Sequence, residues 1–330
     1  MNQDVSATSS IRDETGLRDR VARWVLLTGD RRVVAAGIVI GFSLVTFALV
    51  TGGVLAIGPG STVSTLFASG LTSGAITLLT IALSINQLIL SRVFGSPNEL
   101  RGRLDATRDL RTQVETLADR PSSPNDPSAF LSLLGKTLAK RTTELLGAID
   151  RSEWDAPPPV AATIQTVGEY GRNIAEHLDR GDEIVGVLEL IIGPEYAQNI
   201  VAIHHHRNAN ADSISEAVDA EFQATEDVLE AIAIVRQFFK TIALQQDFAH
   251  LSRLVVYLGL TALVVSMSLA LIYRPDSVTV PLSVLPVVVS LGVGVVVSPL
   301  AIFVAYIFRA ATIAYDTISV GPFIPPQGRA

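Results

Sequence analysis

The chain has 330 residues, of which 48% are hydrophobic and only 17% charged; its net charge is −7 and it has no cysteine. Composition of that kind belongs to a membrane protein, and zero Cys excludes disulfides, thiolate metal sites and cysteine nucleophiles together. Only Lys136, Lys140 and Lys240 are lysines and Asp outnumbers Glu 18 to 14; an acidic, lysine-poor polar part suggests a salt-loving host and argues against a nucleic-acid partner.

Residues 1–32 carry Asp4, Asp13, Glu14, Arg18, Arg20 and Arg23, with no short apolar core before a small-residue cleavage site. They read as a cytosolic tail and not as a signal peptide. From Val33 to Ser91 there is no Asp, Glu, Lys or Arg, which is room for two passes of roughly 20 residues each. Spans are expected at about 33–57 and 62–94, joined by the uncharged Gly58-Pro-Gly-Ser61. A second pair is expected at about 253–273 and 281–308, before a tail at 309–330. The fold class is therefore all-α: an integral membrane protein with four transmembrane helices and a cytosolic helical domain, 95–252, inserted between spans two and three.

Basic residues set the orientation. Arg23, Arg31 and Arg32 precede span one, Arg92, Arg101 and Arg103 follow span two, Lys240 and Arg253 precede span three, and Arg309 follows span four. Both termini and the inserted domain are thus expected in the cytosol, with Arg32, Arg92, Arg253 and Arg309 as interfacial anchors. Gly37 and Gly41, Gly70 and Gly74, and Ser290, Gly294 and Ser298 place small residues on single helical faces. Such faces allow close backbone approach, either within one subunit, the plainer reading, or between subunits. Pro299 deprives the carbonyl of Val295 of its helical partner, which implies a bend in span four that is either a gate or only a bend.

In the inserted domain, Ser96-Pro97-Asn98-Glu99 is a complete helix start. Ser96 is the N-cap, Pro97 takes the first helical position, and Glu99 completes a capping box; Gly95 before it suits the end of span two. The helix should run to about Asp119. Pro127 opens the next, to about Arg151, and further helices are expected at about 160–180, 182–192 and 194–208. The last helix, with Ser213 and Glu216 as its cap, has no Gly or Pro from Ala211 to Leu258. Val218, Phe222, Thr225, Leu229, Ile232, Phe239 and Ile242 recur at three, four or seven along it, a coiled-coil-like seam for lateral packing. Continuing into span three, it would make a rod of roughly 90 Å.

Two places could carry chemistry. His204, His205 and His206 are adjacent on a helix and point about 100° apart, so at most two could share a metal, and a solvated helix end is the simpler reading. No Walker loop, HExxH or GxSxG is present, and the uncharged runs 33–91, 254–273 and 277–308 contain no ionisable side chain other than Tyr, which disfavours active transport and intramembrane hydrolysis. On span two, Thr62, Ser69, Ser73, Thr80, Ser84, Gln87 and Ser91 fall within a sector of about 60° when each residue turns by 100°. That stripe suits an uncharged, water-lined path, and equally a helix buried among others.

The stretch Ser84 to Leu100, with "INQLILSR" followed by "GSPNEL", resembles an uncharacterised group of four-span membrane proteins of halophilic archaea, which implies a fold and no activity. The layout is also similar to that of bestrophin anion channels, in topology alone, since none of their sequence signatures is present. The expectation is a non-enzymatic, homo-oligomeric passive channel or pore. Ser69, Ser73, Thr80, Ser84 and Gln87 are its candidate lining residues, the lipid bilayer and further copies of the chain its partners, and no cofactor is needed. The alternative is a membrane-anchored helical scaffold or sensor.

Overall fold

The computed structural model describes residues 7–9, 16–93, 96–178, 195–273 and 277–316, with backbone alone at 19, 89–93 and 315–316. The Gly95 cap, the helix expected at 182–192 and the Arg92 side chain lie outside the described residues. The chain is all-helical: among the described residues the sole β-type pairing is an isolated bridge between Tyr273 and Val278. Helix α1 (Leu17–Arg23) continues into a π-helical turn, Trp24–Thr28, and is followed by α2 (Arg31–Thr51). The short α3 (Val63–Thr65) passes through a second π turn, Leu66–Leu71, into α4 (Thr72–Val93). Then come α5 (Pro97–Leu117), α6 (Pro127–Arg151), α7 (Pro158–Leu178), α8 (Glu195–Ala209), α9 (Glu216–Ile272) and α10 (Leu285–Asp316).

Four of these helices are long and apolar enough to cross a membrane: Arg31–Thr51, Val63–Leu88, a stretch of Glu216–Ile272, and Leu285–Ala314. The chain divides into two compact units, one of residues 1–20, 96–243 and 313–330, the other of residues 21–95 and 244–312. Helix α9 passes from the first to the second between Ala243 and Leu244.

In the first unit, local chemistry sets the helix starts. The Ser96 hydroxyl accepts from the Glu99 N–H, while the Glu99 carboxylate accepts from the Ser96 N–H at 3.1 Å. Asp126 caps α6 by accepting from the Ala129 N–H at 2.9 Å, ahead of Pro127. Helix α9 starts later than expected: Ser215, not Ser213, is its cap, accepting from the Val218 N–H. The reason is that residues 210–213 fold into turns after α8.

Helices α6 and α7 meet backbone to backbone. A Cβ added to Gly135 would stand 2.6 Å from the Gly171 carbonyl oxygen, and one on Gly171 would stand 2.7 Å from that of Gly135. Leu131, Leu134, Leu138 and Leu145 are fully buried beside them, each worth roughly 1.5–3 kcal/mol of transfer from water. On α9, Val218, Phe222, Thr225, Leu229, Ile232 and Phe239 are buried inside this same unit. The seam anticipated for a coiled coil is thus consumed by the chain's own core, because the domain's other helices supply enough apolar surface to cover it.

The second unit holds two apolar clusters. Val34, Ala35, Ala82, Leu251, Val255, Ala301, Ile302, Ala305 and Tyr306 form one; Phe67, Leu269, Tyr273, Leu285, Val289 and Val296 form the other. Between Thr51 and Thr62 the chain reverses through Gly53 (φ 74°) and Gly60 (φ 78°), left-handed positions that a side chain would strain. The small residues are used unequally. Gly294 of α10 lies against Val39 and Ser43 of α2, whereas among the described residues a Cβ added to Gly37, Gly41 or Gly74 would meet nothing within 4 Å and one on Gly70 would meet only Leu66 of its own segment. Packing within the subunit, the plainer expectation for these faces, therefore holds for span four and not for the glycine pairs of spans one and two. Pro299 does sit inside α10, and the Val295 carbonyl it leaves unpaired accepts from the Ser298 hydroxyl at 2.7 Å.

Candidate functional site

Helix α4 carries the candidate face. Ser69, Ser73, Thr80, Ser84 and Gln87 are all exposed, while Ala75 and Ala82 on the other side are buried. None of the described helices covers the stripe. Ser69 donates to the Thr65 carbonyl (2.7 Å), Thr80 to that of Ile76 (3.0 Å), and Ser84 to that of Thr80 (3.0 Å). Thr77, outside the stripe as counted from the sequence, lies exposed beside it and bonds the Ser73 carbonyl at 2.9 Å. A back-bonded hydroxyl has used its one donor but keeps lone pairs free, so the face presents acceptors along its length. Gly70 and Gly74 border it, and with no side chains there another helix could approach closely.

The π turn at Leu66–Leu71 alters the count. A step of 100° does not hold through a π turn, so it is the exposure of Thr62 and Ser69, not their angular position, that places them on the open face. The same turn interrupts the regular ladder, and the Phe67 carbonyl accepts from the hydroxyls of Thr72 (2.6 Å) and of Ser266 on α9 (2.7 Å). Sequence reasoning missed this tie, since Ser266 is one of several small polar residues in an apolar run.

It also missed a buried ionic cluster in the same unit. Arg31, 2% exposed, donates to the carbonyls of Gly29 (2.6 and 2.9 Å), Val25 (2.9 Å), Trp24 (3.1 Å) and Ala305 (3.4 Å). Arg309 pairs with Asp247 at 3.2 Å and donates to the Gly29 carbonyl at 2.8 Å. Arg309, expected as an interfacial anchor, is buried against the Asp247 carboxylate. The signal was present: Asp247 is the only acidic residue between Glu230 and Asp276. Arg31 and Arg309 lie just outside the uncharged runs, near the ends of two of the four apolar helices. Arg32 and Arg253 are exposed.

The three histidines do not converge. His204 bonds Glu226 (3.1 Å) and Asn208 (2.9 Å), His205 stands edge-on to His206 with ring centres 5.6 Å apart, and His206 bonds the Thr163 hydroxyl of α7 (3.0 Å). Among the described residues no three His, Asp or Glu side chains are grouped to hold a metal. Burial, with His205 beside it, pushes the His206 imidazole below its usual pKa. The organising group is Arg207, which bonds both carboxylate oxygens of Asp219 (2.7 and 3.0 Å), Glu226 (2.8 Å) and Gln223. Those bonds hold the Asp219 carboxyl below the usual range. The residues therefore serve to fasten α8 to α9.

The chain belongs to a family of unknown function, DUF7972, which matches residues 1–329. No curated protein and no solved structure matches it.

Proposed function

We propose that the protein is a homo-oligomeric passive channel of the cell membrane, with both termini and the inserted helical domain in the cytosol and the polar face of α4 lining the path. One observation carries the reading: the Ser69, Ser73, Thr80, Ser84 and Gln87 face is left open by the described helices of the chain. Further copies of the chain would close it around water, with Gly70 and Gly74 permitting close contact at its edge. Hydroxyl and amide oxygens along an uncharged wall can replace part of the hydration of a passing solute. The proposal includes no enzymatic activity, cofactor or nucleic-acid partner. Recording from purified protein in planar bilayers tests it: conductance is expected, and Thr80→Leu with Gln87→Leu should reduce it. No conductance, or conductance indifferent to both substitutions, would overturn the proposal.

A second reading, a membrane-anchored scaffold or sensor, is favoured by the back-bonding of Ser69, Thr80 and Ser84. Hydroxyls satisfied within their own helix need no water and tolerate lipid or another helix. Mass measurement in detergent separates the two, since a path lined by one helix per subunit needs about four or more subunits. A monomer or dimer would leave the scaffold standing.

A further inference from the structure

We infer that α7 and α8 form a binding slot for an extended peptide, read through its backbone, and that the chain's own N-terminal segment at residues 7–9 is the occupant. Asn199 of α8 is fully buried. Its Oδ1 accepts from the Thr8 N–H at 2.9 Å, and its Nδ2 donates to the Thr8 carbonyl at 3.1 Å. From α7, Asn173 Nδ2 donates to the Ser9 carbonyl at 2.7 Å. All of these groups belong to one compact unit.

The geometry is that of strand pairing. A residue can offer its N–H and its C=O to one partner only where its backbone is extended, so that both groups point the same way, as between neighbouring strands. A carboxamide has the donor and acceptor of a peptide group, so Asn199 stands in for the adjacent strand. Addition of an extended segment through its main chain is a general mode of peptide recognition; here a helical side chain supplies the edge.

The setting of Asn199 points to a ligand. Its neighbours Tyr196, Ala197, Ala202 and Ile203 on α8 are buried apolar residues, and a buried amide left without partners in such a place is costly. The segment between Ala7 and Ser9 satisfies it. Because these bonds go to backbone atoms, small residues such as Ala7, Thr8 and Ser9 suit the slot, and the chain follows on to the other unit at Val21. The segment at residues 7–9 is in this sense a tethered ligand of the helical domain.

A variant lacking residues 1–15 and a fluorescent peptide spanning residues 1–16 test the inference. Anisotropy should show saturable binding of the peptide to the truncated protein and no saturable binding to the full-length chain, whose slot is filled. Asn199→Leu in the truncated protein should abolish binding, and Asn173→Ala should weaken it. Should Asn199→Leu fail to fold, a peptide carrying Thr8→Pro decides the matter: it lacks the N–H that Asn199 accepts and should bind at least roughly tenfold more weakly. Absence of saturable binding to a truncated protein of unchanged helicity overturns the inference, as does a Thr8→Pro peptide that binds equally well.

Discussion

The two compact units of this chain are built with opposite polarity. In the helical domain, apolar side chains such as Leu134, Leu138, Ile164, Phe222 and Leu229 are enclosed, and Arg101, Arg103 and Glu99 face outward. In the second unit Leu44, Leu83, Val264 and Leu271 are exposed, while Arg31, Arg309, Asp247 and Ser266 are buried. The second pattern is compatible with a solvent that accommodates exposed hydrocarbon and cannot hydrogen-bond, the first with water. The inversion also separates two uses of glycine: Gly135 and Gly171 lock helices within the domain, whereas Gly37, Gly41 and Gly74 lie on open faces.

The sharpest way to break the comparison is to disturb the polar interior of the second unit. Asp247→Leu leaves the buried Arg309 without its carboxylate and should destabilise the protein by about 3–5 kcal/mol, with Arg309→Leu in addition restoring most of the loss. Thermal unfolding in detergent, followed by circular dichroism, measures both. Equal losses in the single and double variants would show that the pair is not what matters.

A smaller effect distinguishes the glycines. Gly135→Ala pushes a methyl group into the Gly171 carbonyl and should cost about 2 kcal/mol, while Gly74→Ala, which meets nothing, should leave the unfolding midpoint of the monomer unchanged or slightly raised. If Gly74→Ala lowers the mass of the detergent-solubilised assembly, its face is an intersubunit surface; if the midpoint of Gly135→Ala does not move, the contact between α6 and α7 is looser than described.

The smallest effect is pH-dependent and confined to the helical domain. Because burial lowers the pKa of His206, the folded state binds fewer protons than the unfolded chain near the usual histidine value of about 6.5. Its contribution is complete above that value and lost as pH falls below it. The unfolding midpoint should therefore fall on acidification through this window, and less so in His206→Gln. Asp219, held down by Arg207, behaves alike but in the carboxylate range, its stabilisation being lost at distinctly lower pH.

Much of the architecture is legible in the residues themselves. Ser96-Pro97-Asn98-Glu99 and Asp126-Pro127 start helices at those positions because capping and the fixed φ of proline act within one turn. The four apolar runs announce themselves because lipid-crossing length is a property of consecutive residues. Local rules failed where partners come from far along the chain. Asp247 stands out as a lone acidic residue but nothing in the sequence names Arg309 as its partner, the heptad seam of α9 looks alike whether it meets another subunit or its own domain, and Ser213 looks as good a cap as Ser215.

Composition and pattern alone thus determined an all-helical protein with four apolar helices, since hydropathy, helix length and capping depend on residues close in sequence. Only the tertiary structure decided that the polar face of α4 lies open, that Arg31 and Arg309 turn inward, and that Asn199 holds the N-terminal segment. Burial and pairing over such separations depend on which helices lie side by side, and that is a property of the assembled chain.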